Sequence, residues 1–562
     1  MRNRMLGTIF ILLVLFCVAA VPAAAQSFQV QCPDHTITHP NAANNNSEPA
    51  YSGATTFTTG ANGYQMPATN VNGAIKCQQI SGGDGFATMG DGTQTYLFAF
   101  GPLSGLQDIA NGLPGTQFPI VFNAPYGGTL VPGDPATTDA AGPGPNPPSG
   151  FPFNGAVGLA PDRDCLAEPA CAATIPSSGI DGHVDPRPIM DVGVMNGNMP
   201  APLFAIDEDD EFFLTLTNVG QVMRPDLFEQ HTVHFHGYPN ASAFYDGVPD
   251  ASVAINIGGS FTYYYLAPDA GTYFWHCHIT PPEHLQMGMV GQIFVRPRQN
   301  RVPSTTSLYA SLQAQQGDTR TACRRPGDDT GSTTLTPVTT FPDILCSNPV
   351  PAVQTSAMGG GKYAYNDGDG STAYDVEYPL QIHGFDPNFH FVGMTFNPEG
   401  FTEMKDKYFL LNGRSYPDTA TAGPLATQST DGTLHYSQPL PSIINIPLNG
   451  KALLRIADLD VTEYQTLASL GIPMKVVGFN AKLLRDQAGN NLAYNTNSIT
   501  LAGGESLDVI LDATGIPAGT YYLYTPNLDH LSNDAENFGG LMTEVHVCSA
   551  GVTGPTFGNS CM

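Results

Sequence analysis

Cations are scarce in this sequence: 21 Lys and Arg stand against 49 Asp and Glu among 562 residues, a formal net charge of −28. That balance leaves no basic footprint for nucleic acid. Tryptophan occurs once, at Trp275, yet 23 Tyr and 30 Phe supply the large apolar side chains that a disordered chain lacks. Apolar runs long enough to span a bilayer are missing after the N-terminus, so no integral membrane segment is expected there. Helical periodicity is nearly absent too, which argues against a helical bundle. What is plentiful is 61 Gly and 48 Pro, punctuating short runs of Tyr, Phe, Val and Thr. Such punctuation is the pattern of sandwiches and barrels, and the chain is expected to be all-β.

At the N-terminus, Arg2 and Arg4 precede an apolar stretch from Ile9 to Ala20, and Ala23 and Ala25 form an A-x-A site before Gln26. Residues 1–25 therefore read as a cleaved signal peptide, with export to the periplasm or the extracellular space. Export permits disulfides. Of ten cysteines, Cys17 would leave with the signal. Cys32, Cys77, Cys165, Cys171, Cys323, Cys346, Cys548 and Cys561 sit in Gly/Pro/Ser-rich or terminal stretches and suit crosslinking. Proximity favours Cys165 with Cys171 and Cys323 with Cys346, although spacing does not fix connectivity. Cys277 differs, because it stands between two histidines.

Strands are expected at Thr95–Phe100, Phe212–Thr217, Ser252–Ile257, Phe261–Leu266, Thr272–Trp275 and Gln292–Val295, then at Tyr408–Leu411, Ser442–Ile446, Lys451–Ile456, Met474–Val477, Ser498–Leu501, Ser506–Leu511 and Tyr521–Tyr524. They form two sandwich-sized clusters. The first covers 81–297, interrupted by an insertion over about 113–195, and the second covers 375–547. Residues 26–80 read as an irregular extension, 298–374 as a long connection and 548–562 as a tail. The acidic run Asp207–Glu211 reads as a solvated approach to a strand.

Six of the 14 histidines fall between positions 231 and 284. HTVHFHG contributes His231, His234 and His236; FWHCHITPPEHLQMGM contributes His276, Cys277, His278, His284, Met287 and Met289. A thiolate, imidazoles and a thioether make a soft, borderline metal site, and His₂Cys with a weak Met is the blue-copper ligand set. The order of these ligands is not the paired C-x₂-C spacing of structural zinc. Side chains alternate faces along a strand, so His234 and His236 point away from Phe235, and His276 and His278 away from Cys277. Two metal sites back to back follow.

These stretches resemble the copper motifs of multicopper oxidases, which are built of cupredoxin domains with a Greek-key β-sandwich fold. The resemblance implies that His231, Cys277 and His284 bind type 1 copper, with Met289 as axial ligand and Met287 as packing. It implies type 2/type 3 copper on His234, His236, His276 and His278. Trp275 is expected to pack beside the site. Stretches such as MNGNMPAPLFAIDEDDEFFLTLTNVG and GGSFTYYYLAPDAGTYFWHCH continue the family pattern.

The second cluster also resembles a cupredoxin domain, in FLLNGRSYPDT, IPLNGKALLRIADLD and SITLAGGESLDVILDATGIPAGTYYLY, but its copper motifs are absent. MKVVGFN stands where H-x-H-G would, and TPNLDHLSN where a further His would follow. One chain's motifs thus supply half of the imidazoles that a trinuclear cluster needs. Two-domain members of the family complete the cluster across a homotrimer. Here the second domain offers isolated His383, His390, His435, His530 and His546, each expected to be a surface or loop histidine, with His383 and His390 the pair to watch. Copper nitrite reductases are related, but Pro526 stands where their third type 2 ligand would, the region of Phe479 lacks their active-site His, and His234 stands where they carry Asp.

The expected function is oxidation of a small molecule, metal ion or redox protein at type 1 copper. Electrons would pass through Cys277 to the His-bound copper, with dioxygen as acceptor. The alternatives are a type 1 electron carrier without a complete cluster, a nitrite-reductase-like enzyme, and a structural assembly protein that keeps the scaffold.

Overall fold

The computed structural model describes residues 56–59, 65–103, 195–303, 361–392 and 400–552, except 226, 238–241, 268, 429–433 and 487–489, together with residues 36, 39, 40 and 561. The signal segment, both proximity-based cysteine pairings and most of the insertion and connection lie outside these residues.

The described chain is nearly all β, as its composition predicts. In the first sandwich, one sheet runs Gln94–Pro102, Ile75–Thr88, Glu211–Gly220 and Ser260–Leu266 in spatial order. Its facing sheet runs Phe204–Asp207, Val290–Arg296, Gly271–His276 and His234–His236. Ile75–Thr88 lies parallel to Glu211–Gly220 from Ile75 onward, so this sheet begins within the stretch read as an irregular extension. Phe100, Phe204, Phe212, Phe235, Tyr265 and Trp275 fill the space between the sheets. Trp275 is fully buried and stacks on Phe204 at 4.7 Å between ring centroids.

The second sandwich pairs a seven-stranded sheet around Val376–Phe385, Lys451–Asp458 and Ser506–Asp512 with a five-stranded sheet around Met542–Val547 and Gly519–Tyr524. Outer strands such as Ser498–Leu501 alternate exposed and buried side chains. Gly271–His276 is buried along its whole length because the second sandwich covers its outer face. There Thr272 Oγ1 donates to Asp508 Oδ1 at 2.6 Å, and Ser506 Oγ donates to the Thr272 carbonyl at 2.7 Å.

Two expectations change. Ser252–Ile257 is not a strand: the Ala251 and Ser252 N–H groups turn back to the Val248 carbonyl, and only Ile255 bridges to His231. The acidic run Asp207–Glu211 is buried, not solvated. Asp209 takes two bonds from Arg298, at 2.6 and 2.7 Å, Glu208 accepts from the Arg298 backbone and from Asn366, and Asp210 accepts the Ala74 N–H. Sequence spacing hides those partners, since both arginines that reach Asp209, Arg298 and Arg301, lie about ninety residues downstream in the chain.

Candidate metal centre

His276 ends its strand opposite His234, with Phe235 opposite Trp275. Beyond it the chain turns inward, and the Cys277 N–H donates to the Met289 carbonyl at 3.1 Å. The helix Pro281–Gln286 follows, started by two prolines that lack N–H groups and fit a first helical turn. It delivers His284. Gly288, at φ +114°, then turns the chain so that Met289 points back into the core.

Ligand atoms of His231, Cys277 and His284 lie within 4.8 Å of one another, and all three residues are fully buried. His284 Nδ1 is 3.2 Å from Cys277 Sγ, and the Thr232 N–H points at the same sulfur at 3.4 Å. The Met289 methyl group lies near His231: a Cβ built on Gly82 would lie 2.7 Å from His231 Cδ2 and 3.3 Å from Met289 Cε. Met287 is buried in the same core.

Electrostatics here favour a thiolate. Burial raises the Cys277 thiol, but His284 and His231 outweigh it and hold the group well below its ordinary value. Burial lowers His284, yet Cys277 and Glu229 push it up to about 9. Burial keeps His231 low. Both ring nitrogens of His231 and Nε2 of His284 are buried without a hydrogen-bond partner, the latter 3.6 Å from Glu229 Oε2. Orphaned buried nitrogens beside a thiolate are donors awaiting an acceptor of soft character, which fits copper.

On the outer face, ring centroids of His234 lie 5.9 Å from His236, 5.2 Å from His276 and 5.0 Å from His278. His276 Nδ1 donates to the Cys277 carbonyl at 2.8 Å and His234 Nδ1 to that of Asp246 at 2.7 Å, which leaves each Nε2 as the lone-pair nitrogen. Burial, with the neighbouring histidines adding to it, pushes His276 down to about 3 and lowers His234 and His236. Neutral imidazoles are the form that ligates metal.

The family model described as multicopper oxidase matches residues 182–300. That segment is similar to a multicopper oxidase domain. Similar curated proteins include the laccase abr2 of Aspergillus fumigatus, 34% identical over 109 residues, 19% of this chain and 17% of that protein. A copper-containing nitrite reductase of Rhizobium meliloti is also 34% identical over 109 residues, 18% of this chain and 26% of that protein. The chain thus spans 17% and 26% of the length of these two relatives. Among solved structures, multicopper oxidase mgLAC overlaps 86% of this chain and 88% of its own at 14% identity, with a TM-score of 0.43.

The first sandwich meets the second across a cleft of 430 Å³. His236, His276, Phe274 and Leu285 line one side; Asp460, Thr462, Glu463 and Tyr464 line the other. No second-domain histidine lines it among the described residues.

The histidines expected at the surface of that domain are buried instead. His383 Nε2 donates to the Leu285 carbonyl at 2.8 Å; His390 reaches the Gln286 carbonyl at 3.0 Å and that of Tyr96 at 2.6 Å. Both therefore brace the helix that carries His284. His530 bridges Gln465 and Glu463, each at 2.9 Å, and His546 pairs with Glu544 at 2.7 Å. The side chain of His435 is outside the described residues. Sequence reasoning missed Glu229 and Gly82; Glu229 carries a signal, two positions before His231, whereas nothing in the sequence pairs Gly82 with a ring so far along the chain.

Proposed function

We propose that this chain is an exported copper-dependent oxidoreductase that takes single electrons from a reductant near His284 and passes them to dioxygen. The observation that carries this reading is the buried cluster of His231, Cys277 and His284. Copper held there, with Met289 beside it, supplies one-electron redox chemistry. Glu229, partly exposed and 3.6 Å from His284 Nε2, orients that ring and gives a small molecule, metal ion or redox protein a negatively charged approach. Cys277 is bonded through one peptide to His276, and the hydrogen bond from His276 Nδ1 to the Cys277 carbonyl adds a second, shorter link. His234, His236, His276 and His278 would hold the acceptor copper. A homotrimer is the assembly that could bring further donors to these rings. The disulfide Cys548–Cys561 suits an oxidising compartment, with Cys277 the free buried cysteine among the described residues.

A second reading is favoured by the cleft, whose second-domain side carries carboxylates and no imidazole: an electron carrier with type 1 copper alone. Copper analysis with dioxygen uptake separates the two. About one tightly bound copper per chain, the complement of a single His₂Cys site, and no oxygen uptake would reject the oxidase. A full outer complement of copper would reject the carrier. Cys277→Ser abolishes the thiolate-to-copper absorption in both.

A further inference from the structure

The second sandwich repeats the first strand for strand. The sheet order Phe204–Asp207, Val290–Arg296, Gly271–His276, His234–His236 returns as Ile444–Ile446, Met542–Val547, Gly519–Tyr524, Gln465–Leu470, and the first two strands are parallel in both. Register then sets residue against residue. His234 faces His276 across its ladder and Ala468 faces Tyr524. His231, three positions before His234, therefore corresponds to Gln465, and Cys277, one position after His276, to Thr525. Loop hydrogen bonds extend the correspondence. The Cys277 N–H donates to the Met289 carbonyl at 3.1 Å and the Met289 N–H to that of His284 at 2.8 Å; the Thr525 N–H donates to the Leu541 carbonyl and the Leu541 N–H to that of His530, both at 2.9 Å. The counterpart of the H-x-x-H-x-H stretch is thus QTLASL, residues 465–470, and not MKVVGFN.

We propose that Gln465, Thr525, His530 and Leu541 are the frame of a second type 1 copper centre, closed by a hydrogen bond where the metal would sit, and that Gln465→His with Thr525→Cys is enough to make it bind copper. The proposal concerns the second sandwich alone and does not rest on the oxidase reading.

The surroundings of the two frames agree beyond the ligand positions. Gln465, Thr525 and Leu541 are fully buried and His530 nearly so. Gln94–Pro102 and Tyr408–Leu411 each edge their sheets, and each sends a phenylalanine to the second histidine: Phe98 meets His284 edge-on, with ring centroids 5.1 Å apart, and Phe409 stacks on His530 at 3.8 Å. A glycine turns the chain before Met289 and another before Leu541, Gly288 at φ +114° and Gly540 at φ +69°. Glu229, two positions before His231, lies 3.6 Å from His284 Nε2; Glu463, two positions before Gln465, lies 2.9 Å from His530 Nε2.

What differs is the donor set. In the first sandwich three buried ring nitrogens of His231 and His284 lack a hydrogen-bond partner. In the second, both ring nitrogens of His530 are taken, Nδ1 by Gln465 Oε1 and Nε2 by Glu463 Oε2, each at 2.9 Å, while Gln465 Nε2 donates to Asp460 Oδ2 at 2.6 Å. Nδ1 is the nitrogen that in His284 faces the Cys277 sulfur. An amide oxygen and an alcohol are hard, uncharged donors, and neither replaces the imidazole and thiolate that hold copper. Leu541 matters less, because the axial thioether bond is long and weak. Both exchanges keep side-chain size nearly constant, the kind of change that a packed core tolerates best.

The test uses the full chain in a Cys277→Ser background, which silences the first centre. Adding Gln465→His and Thr525→Cys should return a thiolate-to-copper absorption, with about one copper per chain beyond what the parent holds, and a further His530→Ala should bleach it. A variant that keeps the parent's circular dichroism and melting yet shows no such absorption overturns the proposal. So does an absorption indifferent to His530→Ala, which would place the copper elsewhere. If the paired exchange prevents folding, Thr525→Cys alone decides. Its thiol, followed by ultraviolet absorbance against the parent, should ionise below the ordinary value of roughly 8.5, because His530 then stands to it as His284 stands to Cys277. An ordinary or raised thiol overturns the frame.

Discussion

Gly82 carries a constraint that its own type conceals. Its backbone lies against the His231 ring and the Met289 methyl group, and a Cβ there would come within 2.7 Å of His231 Cδ2. That ring is fully buried and cannot swing into solvent. Gly82→Ala should therefore push the imidazole away from Cys277, at a cost of about 1–3 kcal/mol for overpacking, and shift or bleach the thiolate-to-copper absorption. Thermal melting and the visible spectrum check it; an unchanged spectrum would mean that the ring is free to move. Six of the eight candidate ligands were legible at this scale because H-x-x-H-x-H and H-C-H couple chemistry to strand alternation, and the rings of His234, His236, His276 and His278 fall on the face opposite Cys277. Gly82 was not, because its partner is set by a sandwich contact across well over a hundred positions.

Among elements, the helix Pro281–Gln286 does most to fix the inner site, and six residues are too few to leave a periodic signal in sequence. Its last carbonyls would be orphans, and histidines of the second sandwich meet them: His383 at Leu285 and His390 at Gln286. Burial pushes the His390 ring down to about 3, so it is neutral and donates from one nitrogen at a time, between the Gln286 and Tyr96 carbonyls. His390→Phe preserves a ring to stack on Phe385 but removes the donor that the two carbonyls share. A loss of about 1–3 kcal/mol in stability is expected, together with an altered thiolate absorption and an undiminished copper content per chain. Metal analysis that finds copper lost from the outer rings, with the inner absorption untouched, would instead make His390 a ligand. The strands themselves were largely readable, since Tyr408–Leu411 or Ser506–Leu511 alternate or run apolar between turns. Ser252–Ile257 failed because its N–H groups are spent on a local turn that alternation does not reveal.

At the scale of the whole molecule, the two sandwiches are locked by buried charge as well as apolar contact. Glu377 of the second receives Arg296 of the first at 2.6 Å and Arg455 of its own sheet at 2.9 Å, and both guanidinium groups lie over the Phe294 ring, at 5.2 and 4.7 Å. Burial alone would raise Glu377, but the two arginines win and hold it at about 2, below its ordinary 4.5. A carboxyl group whose folded value is depressed stabilises the fold fully above its unfolded value, and loses that contribution as pH falls through the folded one. The lock should therefore be intact above pH 4.5 and weaken progressively toward pH 2. Sequence could not foresee this, because Arg296 and Glu377 flank the long connection and meet only once the sandwiches dock. Glu377→Gln removes the charge that two buried guanidinium groups share, so it should cost about 3–5 kcal/mol at neutral pH and flatten the dependence of unfolding free energy on pH across that acid window. Because Arg296 ends the strand that pairs with His276 through Val290, the same variant should loosen the cleft. Denaturant unfolding from pH 7 downward, with wild type and variant in parallel, measures both effects. Curves of equal slope below pH 4.5 would place the acid sensitivity elsewhere, with Glu377 then no more than a packed polar group.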